Sequence, residues 1–360
     1  MKKILHLGAY DLNFGDNIAL YNIRRVLFEL DETIKFDSFS IVNFFENHNN
    51  IEYSKSIFEK WNDEYDMIII GGGGLIEGGN CSSYATGYKL PFNKELMSVF
   101  NIPVVFFSVG INYFRGTKGL SDEGKKSLLE TIESSTLFSV RDDGSMDILK
   151  SIYGNDIESK VYEIPDPGLI MPEDISVGDK VMFQPAMNNN IQQMKHRFNN
   201  SLDDLRRVIK QKEFDIYPHT LKDYVFAGES TDLNSKIIFS KTEFSDLVKF
   251  KNTLKSFDDY KNYKWGIVMR GHGQLVSFGL RLPCIYLVSQ DKLKGFCEKY
   301  NLENYMVDTQ SDNYLTELQE KINLMGDDSY VEEWYNIRDN HIHKIREMFY
   351  NFSKKVIHNI

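Results

Sequence analysis

The chain has 360 residues, a formal net charge of −10 at pH 7 and 42% hydrophobic residues. This length is typical of two domains, because a single core rarely extends over so many residues. The negative charge argues against a nucleic-acid partner, which requires a basic surface. The three cysteines have no paired spacing, which argues against disulfides or a cysteine zinc site and fits a reducing compartment.

The amino-terminal segment, residues 1–8, joins two lysines to a short apolar run. The run is too short for a signal peptide and polar residues follow at once, so we interpret it as a first strand. No apolar run in the chain is long enough to span a membrane. We therefore expect a soluble cytoplasmic protein that associates at most peripherally with the inner face of the membrane.

The first half of the chain alternates continuous apolar runs with amphipathic segments. This pattern indicates a parallel sheet covered by helices on both faces. Ser121, followed by two acidic residues, is typical of a helix start, and Gly154 of a helix end. The predicted strands are residues 4–7, 67–70, 104–107 and 137–140, and the predicted helices are residues 18–30, 121–134 and 145–152.

The pattern breaks at the Pro-Asp-Pro-Gly segment, residues 165–168, and then resumes. We predict an N-terminal domain of residues 1–175 and a C-terminal domain of residues 176–329. A long amphipathic helix over residues 330–360 is expected to complete the first domain. The second domain is predicted to contain strands at residues 181–183, 214–217, 237–239, 265–269 and 284–288 and a helix at residues 202–209.

The fold class predicted from this order is α/β, with two Rossmann-like, doubly wound domains in tandem. Such domains place two sets of strand ends face to face across a cleft. Arg270, Gly271 and His272 come where a predicted strand ends and a helix begins. An arginine beside an imidazole at that point can hold an anion and move a proton.

A loop after the first strand contains Asn13, Gly15, Asp16 and Asn17. The glycine permits a tight turn, and Asp16 or Asn17 can cap the following helix. A helix start at this place is also suited to an anion or a sugar hydroxyl. The sequence leaves the capped helix and an acceptor site at Asn13, Asp16 and Asn17 equally open.

Four glycines at positions 71–74 follow the apolar strand 67–70. They form neither a P-loop, since no Gly-Lys-Ser/Thr follows, nor a dinucleotide fingerprint. Tight packing of a strand against a helix is one interpretation. The number of glycines favours a cleft-lining loop containing Gly72, Gly73, Gly74 and Glu77.

Other polar residues have competing interpretations. Arg141 ends a predicted strand and either forms a structural ion pair or faces an anion, with Asp142 as the helix cap. His219 follows a predicted strand and is a weaker site candidate. His341 and His343 are two residues apart on a helix and point to different sides, so we expect no metal site.

Taken together, these residues resemble the polysaccharide pyruvyl transferase family. The ordered set is more specific than any one piece. In chain order the matching pieces are Asn13-Phe14-Gly15-Asp16, Gly71 to Leu75, Pro103 to Gly110, Ser139-Val140-Arg141-Asp142 with Ser145, Asp166-Pro167, Arg270-Gly271-His272, Pro283 and Asp291-Lys292.

The resemblance implies a GT-B-like arrangement of two Rossmann-like domains with a C-terminal helix crossing back. It implies phosphoenolpyruvate as donor, no cofactor, and as acceptor a sugar of a surface glycan or its lipid-linked precursor. The implied product is a cyclic pyruvate ketal. The family's Arg-x-His falls on Arg270 and His272, and its strand-end arginine on Arg141, so Arg270, Arg141, Gly271 and Lys292 are the predicted donor ligands.

We expect His272 to act as the general acid and Asp16, on the acceptor side, to orient or deprotonate a hydroxyl. Two departures from the family pattern are Gly271, in place of leucine, and Arg281, two residues before Pro283. Arg281 either adds charge near the donor or marks a divergent subgroup. The suspected acceptor loops are residues 77–92 and 185–200.

Two alternatives remain open at this point. One is a GT-B glycosyltransferase that uses a nucleotide-sugar, since the same fold and basic residues would suit a diphosphate. The other is a binding or scaffold module that has kept the fold and lost catalysis.

Overall fold

The computed structural model of the chain describes residues 1–47, 49–79, 81, 84–112, 118–172, 178–186, 214–229 and 237–360. Two units are formed, each around a parallel sheet. The first comprises Met1–Tyr10, Ile18–Pro167 and Ile345–Ile360, and the second comprises Asp11–Asn17 and Gly168–Lys344. The division after Pro167 falls within the Pro-Asp-Pro-Gly segment.

The first unit contains a six-stranded parallel sheet in the order β2-β1-β3-β4-β5-β6. Its central strands are buried along their whole length, which explains their continuous apolar sequences. The strands are β1 Lys2–Gly8, β2 Ile34–Ser40, β3 Met67–Gly71, β4 Val104–Val109, β5 Leu137–Arg141 and β6 Tyr162–Ile164.

Helices connect these strands. The Ser121 side chain accepts a hydrogen bond from the Gly124 amide, as predicted for a helix cap. Gly154, with φ of 83°, ends the helix Ser145–Tyr153, as the sequence also predicts. Short 3-10 turns cover Asn155–Ser159 and Pro167–Leu169. The helices are α1 Phe14–Leu30, α2 Val42–Glu46, α3 Ile51–Glu64, α4 Lys94–Met97, α5 Asp122–Ser134 and α6 Ser145–Tyr153.

The second unit contains a five-stranded parallel sheet in the order β11-β10-β9-β7-β8. Since all its strands run the same way, their carboxyl ends lie at one edge, and the loops that follow them meet there. The strands are β7 Lys180–Gln184, β8 Phe214–Ile216, β9 Tyr263–Val268, β10 Cys284–Val288 and β11 Met306–Asp308.

The last helix, α13 (Asp328–Ile357), is the long amphipathic helix that the sequence predicts. Its residues up to Lys344 belong to the second unit, where Trp334 donates to the Tyr286 hydroxyl at 3.3 Å. Its remaining residues belong to the first unit, where Phe349 packs against Phe107 with ring centroids 5.2 Å apart. The helices after α6 are α7 Leu221–Glu229, α8 Lys241–Leu247, α9 Thr253–Tyr260, α10 Gly271–Gly279, α11 Asp291–Lys299, α12 Tyr314–Leu324 and α13 Asp328–Ile357, with 3-10 turns at Phe250–Asn252 and Glu303–Tyr305.

The predicted α/β class with two parallel sheets and a long C-terminal helix is confirmed. Among the described residues no helix has the length and apolar character needed to cross a membrane. The predicted strand at residues 237–239 is wrong, since the described part of that segment contributes a single bridge, Ile216 to Ile237. The predicted helix at residues 202–209 lies outside the described residues.

Two predicted helix caps are also wrong. Helix α1 begins at Phe14, so Asp16 and Asn17 lie inside it and Asn13 precedes it. Helix α6 begins at Ser145 after Gly144, which has φ of 88°, so Asp142 is too early in the chain to cap it. Asp142 instead accepts a hydrogen bond from the Asp166 amide at 3.3 Å.

Candidate functional site

The loops at the carboxyl edge of the second sheet bring together several of the predicted site residues. Arg270 follows β9 in extended conformation, with φ of −91° and ψ of 146°, and precedes α10. Its amide donates to Gln184 Oε1, at the end of the neighbouring strand β7, at 2.9 Å. A Cβ on Gly273 would lie 2.4 Å from the same oxygen, so glycine is required for this contact. The start of α10 is thus fixed against β7.

The Arg270 guanidinium is paired with Asp223, a residue of α7 that follows β8. Arg270 Nε donates to Asp223 Oδ2 at 2.6 Å, and Nη2 donates to Oδ1 at 2.7 Å. Nη2 also donates to the Thr220 hydroxyl at 3.0 Å. The Asp223 side chain is fully buried and that of Arg270 is 12% exposed, so the pair is shielded from water on most sides.

His272 lies in the first turn of α10 beside Asp16. Its Nδ1 is 3.5 Å from Asp16 Oδ1, and the two side chains are 10% and 19% exposed. A Cβ on Gly15 would lie 2.1 Å from the His272 Cβ, a distance that no pair of side chains tolerates. Gly15 therefore permits the approach that places the Asp16 carboxylate next to the imidazole.

The segment Asp11–Asn17 is held in the second unit by hydrogen bonds of its own. The Asn17 side-chain Nδ2 donates to the Val248 carbonyl at 2.6 Å, and Asn17 Oδ1 accepts from the backbone amide of Asp11 at 3.1 Å. Asp11 Oδ1 accepts from the Phe250 amide at 2.6 Å. Asn13 Oδ1 accepts from the Gly15 amide at 3.0 Å. The side chains of Asn13 and Asn17 therefore shape and anchor the segment, and their role in acceptor binding stays a prediction.

His219 lies behind this segment and is fully buried. Its carbonyl accepts from the Phe14 amide at 3.1 Å, and its Nε2 is 2.9 Å from the Tyr260 hydroxyl. Burial, with Arg270 and His272 nearby, holds the pKa of His219 well below its usual range. His219 is therefore neutral at neutral pH, and its contacts support the site from inside.

Gly271 and Lys292 lie at the starts of α10 and α11, which follow the neighbouring strands β9 and β10. A Cβ on Gly271 would be 3.4 Å from a methyl carbon of Leu293, so the two helix starts are close. Lys292 is half-buried in the first turn of α11. Both predicted donor residues thus lie at the same sheet edge as Arg270.

Arg141 belongs to the first unit and is held between two carboxylates. Its Nη1 is 3.0 Å from Asp166 Oδ2, and its Nη2 is 2.7 Å from Asp143 Oδ2. The Arg141 side chain is 6% exposed, and a Cβ on Gly110 would lie 2.0 Å from its Nη2. The structural ion pair considered from the sequence is present, and Asp166 and Asp143 supply its acids. A role of Arg141 in donor binding stays a prediction.

The glycine run after β3 has packing reasons within the first unit. A Cβ on Gly74 would lie 2.2 Å from Asn112 Nδ2, and one on Gly72, whose φ is +81°, would lie 2.9 Å from Leu20. The Gly73 carbonyl accepts from the Gly110 amide at 2.9 Å. Glu77 is paired with Lys89 Nζ at 2.9 Å. The contact of these residues with an acceptor stays a prediction.

Arg281 does not lie beside Arg270. It follows the end of α10, and nine helical residues separate the ends of that helix by about 13 Å. Its Nη2 is 2.9 Å from Asp339 Oδ2, and its guanidinium carbon lies 4.2 Å from the centroid of the Tyr335 ring. The idea that Arg281 adds charge near Arg270 is therefore wrong, because the side chain binds α13.

Sequence reasoning missed Asp223, Thr220 and Gln184. A local signal existed for two of them, since Thr220 and Asp223 have the spacing of a capping box. The Asp223 amide donates to the Thr220 hydroxyl at 3.3 Å, and Asp223 Oδ2 accepts from the Thr220 amide at 3.0 Å. No sequence signal predicts that the same carboxylate pairs with Arg270.

The described residues contain no group of three or more histidine, cysteine or acidic side chains placed to hold a metal ion. The three cysteines are buried and unpaired by disulfides. Burial raises the pKa of the Cys284 thiol to about 12, so this thiol is not a nucleophile at neutral pH.

The sequence matches the family model described as polysaccharide pyruvyl transferase over residues 13–291. No curated protein matches the chain. Similar solved structures include S. aureus MnaA with UDP, at 12% identity and a TM-score of 0.55, covering 100% of this chain and 95% of that chain. UDP-GlcNAc 2-epimerase from Neisseria meningitidis bound to UDP-GlcNAc has 13% identity, a TM-score of 0.53 and complete coverage of both chains, 100% and 100%. A putative UDP-N-acetylglucosamine 2-epimerase from Listeria monocytogenes has 9% identity and a TM-score of 0.53, covering 93% of this chain and 90% of that chain. These likenesses show a GT-B-like fold.

Proposed function

The chain belongs to the polysaccharide pyruvyl transferase family, and on that premise we propose that it transfers the pyruvyl group of phosphoenolpyruvate to two hydroxyls of one glycan sugar. The product is a cyclic pyruvate ketal, and phosphate is released. The observation that carries this proposal is the placement of Arg270 and His272 at one sheet edge, with the Asp16 carboxylate 3.5 Å from the imidazole. An anion-binding group and a proton donor are the two functions that this donor requires.

Phosphoenolpyruvate carries a carboxylate and a phosphate, and the second unit offers several positive groups for them. Arg270 supplies a guanidinium, and Lys292 an ammonium at the start of α11. The first backbone bond of α10 runs from the Gln274 amide to the Arg270 carbonyl, so Gly271 lies at the positive end of the helix dipole. Helix starts of this kind bind phosphate and carboxylate groups.

The proposed reaction begins when protonated His272 delivers its proton to the methylene carbon of the donor. The central carbon becomes electron-poor, a sugar hydroxyl forms a bond to it, and its bond to the phosphate oxygen breaks. A second hydroxyl of the same sugar then closes the ring. Of the two hydroxyl protons, one replaces the proton that His272 delivered and the other leaves with hydrogen phosphate. The reaction consumes no cofactor.

Within this proposal Asp16 acts on His272. A carboxylate beside an imidazole favours its protonated form and fixes the ring orientation. The sequence predicts Asp16 as an acceptor-side base, whereas its position beside Nδ1 of His272 favours support of the general acid.

The first test is thermal unfolding with phosphoenolpyruvate. A ligand that binds only the folded protein raises the melting temperature by mass action. We expect stabilisation of the wild type that is lost in Arg270→Ala. UDP-GlcNAc is the comparison ligand, because two of the similar structures contain UDP or UDP-GlcNAc. Stabilisation by UDP-GlcNAc and not by phosphoenolpyruvate would favour the glycosyltransferase alternative.

The second test measures phosphate release from phosphoenolpyruvate with methyl glycosides of common hexoses as acceptors. We expect His272→Ala to lower turnover roughly 10²–10⁴-fold, the usual contribution of a general acid, while the thermal shift with phosphoenolpyruvate persists. His343→Ala, an exposed histidine on α13, is the matched control. Wild-type turnover in His272→Ala would remove His272 from the mechanism.

A further inference from the structure

Asp223 makes more hydrogen bonds than a helix cap requires. Its Oδ2 accepts from the Thr220 amide at 3.0 Å and from the His219 amide at 3.3 Å. The same oxygen and its partner Oδ1 accept from Arg270 at 2.6 and 2.7 Å. The carboxylate is fully buried. A buried carboxylate is stable only when such donors surround it, and here they come from one loop and from Arg270.

The hydrogens of the Arg270 guanidinium can be counted. A guanidinium has five N–H groups: one on Nε and two on each terminal nitrogen. The Nε hydrogen and one Nη2 hydrogen go to Asp223, and the other Nη2 hydrogen goes to Thr220. Among the described residues these are all the side-chain hydrogen bonds of Arg270. The two hydrogens on Nη1 are therefore the ones available to a ligand.

We propose that Asp223 is a positioning residue, which with Thr220 holds the Arg270 guanidinium so that its Nη1 edge meets an anionic group of the donor. This inference rests on the proposed function and deepens it. It also implies that Arg270 binds the donor through Nη1 alone. The Nε and Nη2 pair, which could otherwise bind an anion with two parallel hydrogen bonds, is occupied by Asp223.

Two possible roles of Asp223, balancing the charge of Arg270 and fixing its orientation, predict opposite effects on anion binding when the charge of Asp223 is removed. Asp223 neutralises the charge of Arg270, so a carboxylate that served only to balance charge would weaken the attraction of an anion. Removing its charge would then strengthen anion binding. If Asp223 instead fixes the direction of Nη1, removing its charge frees the guanidinium to rotate, and anion binding becomes weaker.

The decisive variant is Asp223→Asn, which keeps the shape of the side chain. The measurements are the concentrations of phosphoenolpyruvate and of inorganic phosphate that give half-maximal thermal stabilisation, and the KM and kcat for phosphoenolpyruvate. We expect both concentrations and the KM to rise roughly 10–100-fold, by analogy with residues that orient the ligands of a metal site. Tighter anion binding, or a lower melting temperature with unchanged anion binding, would overturn the proposal.

Two controls separate this effect from a loss of structure. Asp339→Asn removes the corresponding charge from the Arg281 pair at the other end of α10 and should leave anion binding unchanged. Thr220→Val removes the hydroxyl that accepts from Nη2, and Thr220→Ser retains it. We expect weaker anion binding in the valine variant alone, which keeps the proposal testable if Asp223→Asn folds poorly. Equal binding in the two variants would count against it.

A double-variant cycle tests whether Asp223 acts through Arg270. In an Arg270→Ala background, Asp223→Asn should have no further effect on anion binding, because the group that it positions is gone. An undiminished effect would overturn the proposal. A wild type that binds inorganic phosphate through Arg270 but releases none from phosphoenolpyruvate would contradict the proposed function and leave the role of Asp223 intact. A wild type that responds to neither anion would overturn the role of Asp223.

Discussion

Asp16 and His272 come from opposite ends of the family match, yet their side chains lie 3.5 Å apart in the second unit. The contact depends on Gly15, because a Cβ at that position would lie 2.1 Å from the His272 Cβ. The amino-terminal loop is therefore part of the environment of His272. Glycine is needed at position 15 because a larger side chain would overlap His272.

Gly15→Ala should damage both stability and activity. The added methyl group overlaps the His272 side chain, and such overpacking costs about 1–3 kcal/mol. Gly295→Ala is the matched control, since Gly295 also lies in a helix but a Cβ there meets no atom within 4 Å. That control should gain about 0.5–1 kcal/mol from better helix propensity and keep its activity. Urea unfolding and turnover measure both, and equal stability changes of the same sign would contradict the packing argument.

Asp16→Asn should move the alkaline limb of the pH–rate profile to lower pH. A general acid works only while protonated, and a neighbouring carboxylate favours the protonated imidazole. His219, which burial, Arg270 and His272 hold neutral, also lies nearby, and the substitution does not alter it. Asp122→Asn, at an exposed position on α5, is the control. An unmoved limb would show that Asp16 does not support the general acid.

Arg141→Ala should strongly destabilise the protein. It leaves the buried carboxylate of Asp166 and the largely buried one of Asp143 without their cation. Removing one partner of a buried pair costs about 3–5 kcal/mol. The half-exposed Arg281 pair with Asp339 provides the contrast, since Arg281→Ala should cost about 0–1 kcal/mol. Denaturant unfolding of both variants is the measurement, and similar losses would show that burial does not decide the effect.

The free energy of unfolding should fall already in mildly acidic solution, at a pH where most carboxylates are still ionised. Burial and Arg24 hold the pKa of His6 well below its usual range, and burial with Arg270 and His272 does so for His219. Below about pH 6.5 these histidines are protonated in the unfolded chain but stay neutral in the folded protein. Each of them therefore lowers the free energy of unfolding by up to about 1.4 kcal/mol for each pH unit of acidification.

The free energy of unfolding should therefore fall between pH 7.5 and pH 5.5, and His219→Gln should reduce that fall. An unchanged pH dependence in this variant would mean that His219 takes up a proton in the folded state.

Features that depend on near neighbours in the chain could be predicted from the sequence. Apolar periodicity located the central strands, and Ser121 and Gly154 marked helix ends because capping involves residues a few positions away. The same reasoning placed Arg270 and His272 where β9 ends and α10 begins. The helix start at Phe14 was missed, and Asp142 was wrongly expected to cap α6, since several polar residues in succession can each serve as a cap.

Contacts between side chains far apart in the chain could not be predicted from the sequence and are known from the folded structure. It joined Asp16 to His272, gave Asp223 to Arg270, and enclosed Arg141 between two acids. The pairings of Arg270 with Asp223 and of Arg141 with Asp166 follow from the order of parallel strands, which brings loops far apart in the chain to one edge of the same sheet. The order of strands cannot be predicted from the local sequence. Contacts between loops depend on which strands are neighbours in the folded sheet and not on which residues are neighbours in the chain.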